Sequence, residues 1–385
     1  MVVTFDPTDA GFAVDRGEIY RWLRDKRPVF YDEARDTWVL SRFDDVYAAA
    51  IDHVTFSSAT EEANTLLPML NLVDPPRHTE LRRLVSRAFT PARVAGLETT
   101  SRDLAHDLLS RYATDGGGDL MSGFSAPYAA TVVGRIIGIP EDRLEVFRER
   151  TDQLLVLGQR GEMEPMFQVA ADIYGLFEQL LEERRSSPGD DLVSALLDVQ
   201  RDGGLSDAEL LGFCFLLVAG GNDTTSNLIG NGWVLLLSNP ETLDAVVADR
   251  ALVPPAIEEM LRVAPPAETH VRTTTKAVEL HGTRIPEGAR VQLVWGAANL
   301  DEREFDDPER FDIRRNAERH LAFGHGAHFC LGAALARLEA RLAFGALLDR
   351  CRDFELAAPP VRLPSPWAFG YERVELRPTP RELAS

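Results

Sequence analysis

The chain has 385 residues, 45% of them hydrophobic, and a formal net charge of −20. Such an acidic chain lacks the excess of lysine and arginine that nonspecific binding to nucleic acid requires. Its three cysteines are irregularly spaced, which does not indicate a set of disulfide bonds. No apolar signal segment precedes Arg16, and no run approaches the roughly 20 apolar residues of a membrane span. We therefore expect a cytoplasmic protein that does not span a membrane.

Neither a linker nor a repeat divides the sequence, because its prolines and glycines are scattered rather than clustered. We therefore expect one large α-rich domain over residues 1–385, although length alone would allow two or three. The first predicted elements are two β-prone runs, at 28–31 and 37–40, joined as a hairpin. A helix is predicted from Arg42 through Ala49, and 57–72 is predicted to be a loop with a short helix.

The next predicted helix begins near Asp74, a candidate N-cap with two prolines just inside the start. His78 and Arg82 are four residues apart on it and therefore share one face, which suits a pair of carboxylates. Arg83 and Arg87 lie nearby, so the spacing alone favours an ordinary solvated basic face.

Successive amphipathic helices are predicted over 97–186, with breaks at 115–118, 138–140 and 158–164. A capping box, Ser206 with Glu209, then begins a long apolar helix through Leu237. Because this helix is apolar nearly all round, we expect it to be buried in the core.

The middle of that helix contains residues that are unfavourable in a buried helix. Two glycines at 220 and 221 each cost about 1 kcal/mol against alanine, and Asp223 is costly to bury without a partner. Thr224 lies four residues after Gly220, so its hydroxyl can bond the Gly220 carbonyl and open the helix locally. The alternative is a glycine pair used for helix packing beside a satisfied Asp–Thr cap.

The helices and strands after residue 238 are predicted from the same capping, spacing and turn patterns. Helices are predicted from Asn239 and from Val253, and the second contains Glu259 and Arg262, spaced to pair on one face. Short strands are predicted at 278–280, 283–286 and 289–293, and a turn at 366–371.

A glycine-rich loop before the last long helix carries Cys330. Gly324 and Gly326 permit positive φ, and helix formers start at Leu331, so Cys330 lies where a helix begins. A helix N-terminus favours the thiolate form of cysteine, the form that binds metals. A zinc site from His325, His328 and Cys330 is a weaker alternative, because zinc ligands usually come from separate segments.

The loop resembles the haem-ligand loop of the cytochrome P-450 family, Phe-Gly-x-Gly-x-His-x-Cys-x-Gly, at every position. The resemblance implies the P-450 prism fold, mainly α with small β sheets, and haem b with the Cys330 thiolate as iron ligand. It implies further haem contacts from His78, Arg82, Ala219, Gly220, Arg272, Phe323, Gly324, His328 and Gly332. Of these, His78, Arg82, Arg272 and His328 would bind the haem propionates. Asp223 and Thr224 would manage protons during oxygen activation, and the Glu259–Arg262 pair would be structural.

The implied activity is a monooxygenase that uses O2 to hydroxylate a lipophilic molecule of the steroid, terpenoid, fatty acid or polyketide class. Electrons would come from NAD(P)H through a separate ferredoxin or flavodoxin with its reductase, because no such domain is fused to the chain. The surface that binds this electron donor could be formed by arginines at 82, 83, 87, 337 and 341. Candidate substrate contacts are Leu216, Ala219, Gly220, Glu268, His270 and Phe369.

Two alternatives to this activity remain. One is a haem-thiolate enzyme performing peroxide-driven oxidation or oxidative coupling. The other is a haem-binding protein without turnover. The Asp223–Thr224 pair favours the oxygen route over both.

Overall fold

The computed structural model describes residues 5–9, 11–59, 68–88, 90–114, 116–160, 162–201, 203–315 and 317–380. The chain forms two compact units. The first unit comprises Met1–Thr60, Asn227–Ala333 and Ala358–Val374, and the second comprises Glu61–Ser226, Ala334–Ala357 and Glu375–Ser385. That one catalytic domain spans residues 1–385 stays a prediction.

Helices account for most of the regular structure. They are α1 (Phe12–Lys26), α2 (Phe43–Ile51), α3 (Arg77–Ala88), α4 (Pro91–Gly96), α5 (Glu98–Thr114), α6 (Ala126–Ile137), α7 (Leu144–Arg160), α8 (Met163–Ser186), α9 (Leu192–Arg201), α10 (Asp207–Ser238), α11 (Pro240–Ala248), α12 (Val253–Val263), α13 (Trp295–Asn299) and α14 (Ala333–Arg350). A π-helical segment at Met121–Ser125 and 3-10 turns at Leu70–Leu72, Arg250–Leu252 and Gly326–His328 complete the helical part.

The strands are short. They are β1 (Val29–Asp32), β2 (Thr37–Leu40), β3 (Phe56–Ser57), β4 (Gly118–Asp119), β5 (Thr269–Thr274), β6 (Val278–Leu280), β7 (Thr283–Ile285), β8 (Arg290–Val294), β9 (Cys351–Leu356), β10 (Val361–Arg362), β11 (Tyr371–Arg373) and β12 (Glu375–Pro380). The prediction of a mainly α fold with small β sheets is therefore confirmed.

The first unit is built on a five-stranded sheet of order β1-β2-β8-β5-β3. β1 and β2 form the predicted hairpin, with Val29 opposite Leu40, and β2 then pairs in parallel with β8. Phe43 and Val46 of α2 pack with Leu293 and Trp295 in one buried cluster beside this sheet. The sheet and α2 thereby fix the position of β5 and of the segment that follows β8.

The second unit contains most of the predicted helical region. The break at Gly138 is present, with a left-handed φ of 105° that ends α6. The predicted gap at 158–164 is narrower than expected, since α7 continues to Arg160 and α8 begins at Met163. A small sheet of order β4-β12-β9, which was not predicted, belongs to this unit as well.

The starts of three helices test the capping signals. Ser206 and Glu209 form the predicted capping box, with the Glu209 N–H donating to the Ser206 hydroxyl at 3.2 Å and the Ser206 N–H donating to the Glu209 carboxylate at 2.9 Å. Asp74 is not the N-cap of α3, because the helix begins at Arg77 after both prolines. The side chain of Asn239 does not cap α11 either. Its amide group instead donates to the carbonyl of Leu235 at 2.8 Å.

The loop predicted at 57–72 is described only in part. Residues 60–67 lie outside the described residues, and a single short turn, Leu70–Leu72, follows them. Within the described part of the chain, no helix combines the length and the apolar character needed to cross a membrane.

Candidate functional site

The Cys330 loop is shaped by two glycines with positive φ, 66° at Gly324 and 73° at Gly326. A methyl group added at Gly326 would come within 2.9 Å of the carbonyl oxygen of Ala50, so no larger residue fits there. The Cys330 N–H donates to the carbonyl of Phe323 at 2.9 Å, which closes the loop. The following helix begins at Ala333 rather than at Leu331, so Cys330 precedes it by three residues.

The surroundings of Cys330 fit a flat apolar cofactor. The Cys330, Phe323 and Leu331 side chains are only half-buried, and the ring of Phe329 is 40% exposed. Covering such apolar surface is worth about 25 cal/mol per Å². A partly accessible cysteine sulfur is the ligand that a thiolate-bound haem requires, and the apolar surface beside it suits the face of the porphyrin.

Zinc fits this loop poorly. Among the residues that the structure describes, no three His, Cys, Asp or Glu side chains converge on a possible metal position. The His325 ring instead packs against Tyr47, with ring centroids 4.4 Å apart. Neither Cys214 nor Cys351 pairs with Cys330 in a disulfide.

The centre of α10 has the predicted local geometry. The Thr224 hydroxyl donates to the Gly220 carbonyl at 2.6 Å. Ala219 and Gly220 are exposed although Val218 before them is buried, and a methyl group added at Gly220 would meet no atom within 4 Å. An exposed stretch of small residues in the middle of an apolar helix is open to a bound group. Leu216 is half-buried one turn earlier.

The two glycines of this stretch have different roles. A methyl group added at Gly221 would approach the Val133 side chain to 3.0 Å, so Gly221 allows α10 to pack closely against α6. The packing explanation is therefore correct for Gly221, and the open face belongs to Gly220. Asp223 is half-buried on the same helix.

The residues predicted to contact haem carboxylates come from three elements. His78 is buried on α3, with the half-buried Arg82 one turn later in the same unit. In the first unit, Arg272 is buried on β5 and donates one guanidinium N–H to the carbonyl of Val271 at 2.9 Å. His328 is half-buried in the Cys330 loop. Their propionate contacts stay predictions.

Glu259 and Arg262 form a fully buried pair on α12. Two guanidinium nitrogens of Arg262 donate to the two carboxylate oxygens of Glu259 at 2.8 and 2.7 Å. Arg262 also donates to the carbonyls of Asn299 at 2.8 Å and Pro308 at 2.7 Å. The pair thereby ties α12 to the irregular segment that precedes the Cys330 loop.

Glu268 is a correction to the predicted substrate contacts. Its side chain is buried, and the Arg16 guanidinium donates to both of its carboxylate oxygens, at 3.0 and 3.3 Å. The Tyr20 hydroxyl donates to it as well. Because both oxygens are engaged, Glu268 joins α1 to the start of β5 and does not bind a substrate.

Phe369 lies in the same cluster. Its ring is buried beneath the Arg16 guanidinium, 4.3 Å from the ring centroid, and the Arg362 guanidinium lies 5.6 Å away. Such cation–π contacts stabilise the segment before β11. The substrate contact predicted for Phe369 stays a prediction.

Two side chains that the sequence did not single out stand out in the structure. Trp295 donates its indole N–H to Nδ1 of His270 at 2.8 Å. Glu339 is a fully buried carboxyl on α14 that accepts a hydrogen bond from Thr225, and burial raises its pKa to about 8. Their partners lie far away along the chain, so no local pattern could have predicted these contacts.

A mainly α fold, a glycine-lined cysteine loop and an opened stretch in a long apolar helix together define the haem-thiolate class of proteins. The family model described as Cytochrome P450 matches residues 153–370. Cytochrome P450 107B1 of Saccharopolyspora erythraea is 40% identical over 396 residues, which cover 96% of this chain and 96% of that protein. The chain belongs to the cytochrome P450 family, and it is a monooxygenase of that family.

Two further relatives extend the comparison. Cytochrome P450 monooxygenase PikC of Streptomyces venezuelae is 38% identical over 385 residues, covering 95% of this chain and 92% of that one. The crystal structure of CYP109E1 from Bacillus megaterium in complex with testosterone has a TM-score of 0.87 and 31% identity. That match covers 94% of this chain and 98% of the solved one.

Proposed function

We propose that the protein binds haem b through the Cys330 thiolate and hydroxylates a lipophilic small molecule with O2. The observation that carries this proposal is the half-exposed Cys330 side chain on a glycine-lined loop beside the exposed ring of Phe329. When bound, a thiolate-ligated haem supplies the activation of O2 and the transfer of one oxygen atom to a C–H bond.

The chain supplies position, charge and protons to this chemistry. His78, Arg82, Arg272 and His328 would hold the haem carboxylates, with the two arginines able to bind them bidentately. Thr224 holds a proton on its Oγ1, now shared with the Gly220 carbonyl, and can turn it toward the open face of α10. Asp223, the adjacent carboxylate, would return a proton to Thr224, a role typically worth about 10²–10⁴-fold in rate.

The substrate is proposed to be lipophilic, of the steroid or polyketide class. Leu216, Ala219 and Gly220 present an apolar, partly exposed surface on α10 to it. The testosterone bound to the related CYP109E1 supports the steroid class.

Electrons are proposed to come from NAD(P)H through a ferredoxin or flavodoxin and its reductase. Arg83 and Arg87 are exposed one turn apart on α3, and Arg337 and Arg341 are one turn apart on α14. On a chain of net charge −20, Arg83 and Arg87 form a local concentration of positive charge suited to an acidic partner. The α14 pair contributes less, because Arg341 is paired with Glu98 at 3.1 Å.

The test is the absorption spectrum of the reduced protein with carbon monoxide. The wild type is expected to show the band characteristic of thiolate-ligated haem, and Cys330→Ser is expected to lose it. Cys214→Ser and Cys351→Ser are the controls, since both residues are buried and burial raises the pKa of Cys214 to about 12. A thiolate band that persists in Cys330→Ser would contradict the proposal.

A further inference from the structure

His320 is a buried histidine whose two ring nitrogens both have partners. Its Nδ1 accepts a hydrogen bond from the backbone N–H of Ala322 at 3.2 Å. Its Nε2 lies 3.2 Å from a carboxylate oxygen of Glu258 on α12. Because a backbone N–H can only donate, Nδ1 carries no proton, and the ring proton lies on Nε2 and is donated to Glu258. The ring is therefore fixed in one tautomer and one orientation.

The bond to Ala322 lies at the start of the Cys330 loop. The preceding backbone N–H, that of Leu321, donates at 2.6 Å to the side-chain oxygen of Asn299, which is fully buried. This segment belongs to no helix or strand and has no repeating backbone bonds of its own. Two consecutive N–H groups are thus accepted by side chains, and these side chains set the conformation of the backbone.

The same segment leads directly into the contacts that close the loop. The ring of His320 packs against that of Phe323, with centroids 5.8 Å apart. The carbonyl of Phe323 accepts the Cys330 N–H at 2.9 Å, and its ring meets that of Phe329 at 6.2 Å. A continuous series of contacts within the first unit therefore runs from Glu258 through His320 to Cys330.

Packing alone does not explain a histidine at this position. An imidazole that is buried against aromatic rings costs free energy unless its nitrogens are hydrogen-bonded, so an apolar side chain would fill the space at less cost. The carboxylate that satisfies Nε2 comes from Glu258, next to the Glu259 that Arg262 engages. Two successive carboxylates of α12 thus hold different parts of the irregular chain that leads to Cys330.

We propose that His320 is a positioning residue for the Cys330 thiolate. Oriented by Glu258, it fixes the backbone at Ala322 and thereby the Phe323 carbonyl that accepts the Cys330 N–H. This inference rests on the proposed function, in which Cys330 is the haem ligand, and adds the residue that holds this ligand in place. Contacts that orient a metal ligand from behind typically change metal affinity or activity by about 10–100-fold when they are lost.

The experiment measures hydrogen exchange in the holoprotein by mass spectrometry, on peptides that cover 320–331. His320→Phe keeps a ring beside Phe323 but has no ring nitrogen. We expect the slow amides of these peptides to exchange about tenfold faster in this variant, the change that corresponds to one lost hydrogen bond. His320→Asn provides an oxygen that can accept the N–H two residues later, as in an Asx turn, and is expected to restore slow exchange.

Glu258→Ala tests the carboxylate separately. In the otherwise wild-type protein it is expected to speed exchange over 320–331, because Nε2 of His320 loses its acceptor and the ring is no longer held. In the His320→Asn background it is expected to change nothing, because asparagine has no atom at the position of Nε2. An effect that depends on the background in this way isolates the pair.

A second measurement separates positioning from stability. The band of thiolate-ligated haem with carbon monoxide is expected to be lost faster from His320→Phe, because a loop that opens more often exposes the sulfur to water, and at the wild-type rate from His320→Asn. Val39→Ala is the control, since Val39 is buried in another cluster of the first unit, with Phe12 and Tyr20. It is expected to lower the melting temperature by leaving a cavity, with both measurements on the loop unchanged.

Wild-type exchange over 320–331 in His320→Phe would overturn the inference, and so would a His320→Asn variant that exchanges as fast as His320→Phe. Equal acceleration in Val39→Ala would overturn it too, because global stability alone would then explain the effect. If His320→Phe does not fold, an equal effect of Glu258→Ala in both backgrounds contradicts the inference. Hydrogen exchange needs no haem signal, whereas the carbon monoxide spectrum of Cys330→Ser reports on the proposed function, so the two failures are distinguishable.

Discussion

The hydroxyl of Thr224 donates to the carbonyl oxygen of Gly220 at 2.6 Å, within the helix that both residues belong to. The next residue, Thr225, donates instead to the carboxyl of Glu339 on α14. Two adjacent threonines therefore have different partners, one on the open face of α10 and one in the core. Substituting them separately can distinguish oxygen chemistry from packing.

Thr224→Ala is expected to uncouple oxygen use from product formation. The variant removes the hydroxyl proton but keeps Cys330 and the open face at Gly220. We expect it to bind substrate and consume NAD(P)H, with less product and more hydrogen peroxide per NAD(P)H than the wild type. Product, peroxide and reductant are measured together in one reaction with the redox partners.

Thr225→Ala is the matched control, with the same residue type at the neighbouring position. It is expected to keep the wild-type ratio of product to NAD(P)H. If Thr224→Ala kept that ratio too and only lowered the melting temperature, Thr224 would be a packing residue.

Contacts between residues close in sequence were the part of this site that could be predicted. The Thr224–Gly220 bond, the Ser206–Glu209 capping box and the Glu259–Arg262 pair join residues three or four apart, and helix geometry alone brings such residues together. The Cys330 loop is likewise contiguous. Sequence reasoning could therefore place these features without knowing the rest of the fold.

Contacts across the chain could not be predicted this way. Glu268 looked available for a substrate until the fold brought Arg16 and Tyr20 of α1 against it. The Trp295–His270 bond likewise requires β8 and β5 to be neighbours in the sheet. In each case the partner of a polar side chain was set by topology, which the local pattern does not contain.

Glu339 predicts a stability that falls as the pH rises. Burial raises the pKa of this carboxyl from 4.5 to about 8 in the folded protein. The folded state therefore holds a proton that the unfolded state releases, and this contribution, present in full below about pH 4.5, is lost as the pH rises through about 8. Calorimetric melting temperatures between pH 5 and pH 8.5 are expected to fall less steeply in Glu339→Gln than in the wild type.

The control for this effect is Glu372→Gln, which removes an exposed carboxylate of β11. It is expected to keep the wild-type slope of melting temperature against pH. Parallel slopes for Glu339→Gln and the wild type would show that Glu339 does not carry a buried proton.

Arg262→Ala is expected to destabilise the protein strongly. It leaves the Glu259 carboxylate buried without its bidentate partner and frees the carbonyls of Asn299 and Pro308. Breaking a buried pair in this way typically costs about 3–5 kcal/mol. Arg201→Ala, which breaks an exposed pair with Asp198 at the same spacing, is the matched control and should have little effect. Equal melting temperatures for the two variants would contradict a structural role for Arg262.

The exposed arginines of α3 predict how an electron donor binds. Arg83 and Arg87 are one turn apart on a single helix, so an acidic ferredoxin can contact both at once. The double variant Arg83→Gln, Arg87→Gln is expected to raise the KM for such a ferredoxin several-fold, with the carbon monoxide spectrum unchanged. The reason is that charges at the edge of an interface mainly govern the rate and salt dependence of association.

The salt dependence makes this prediction specific. Exposed charges are screened over about 8 Å at physiological ionic strength, so added salt should slow turnover of the wild type and affect the double variant less. Arg290→Gln, at an exposed position at the start of β8 in the other unit, removes one charge of the same kind and should keep the wild-type response to salt. If the double variant kept the wild-type salt dependence while Arg290→Gln lost it, the electron donor would bind elsewhere than α3. Because the net charge of the chain is −20, a general attraction between an acidic partner and the whole protein cannot explain a loss confined to α3.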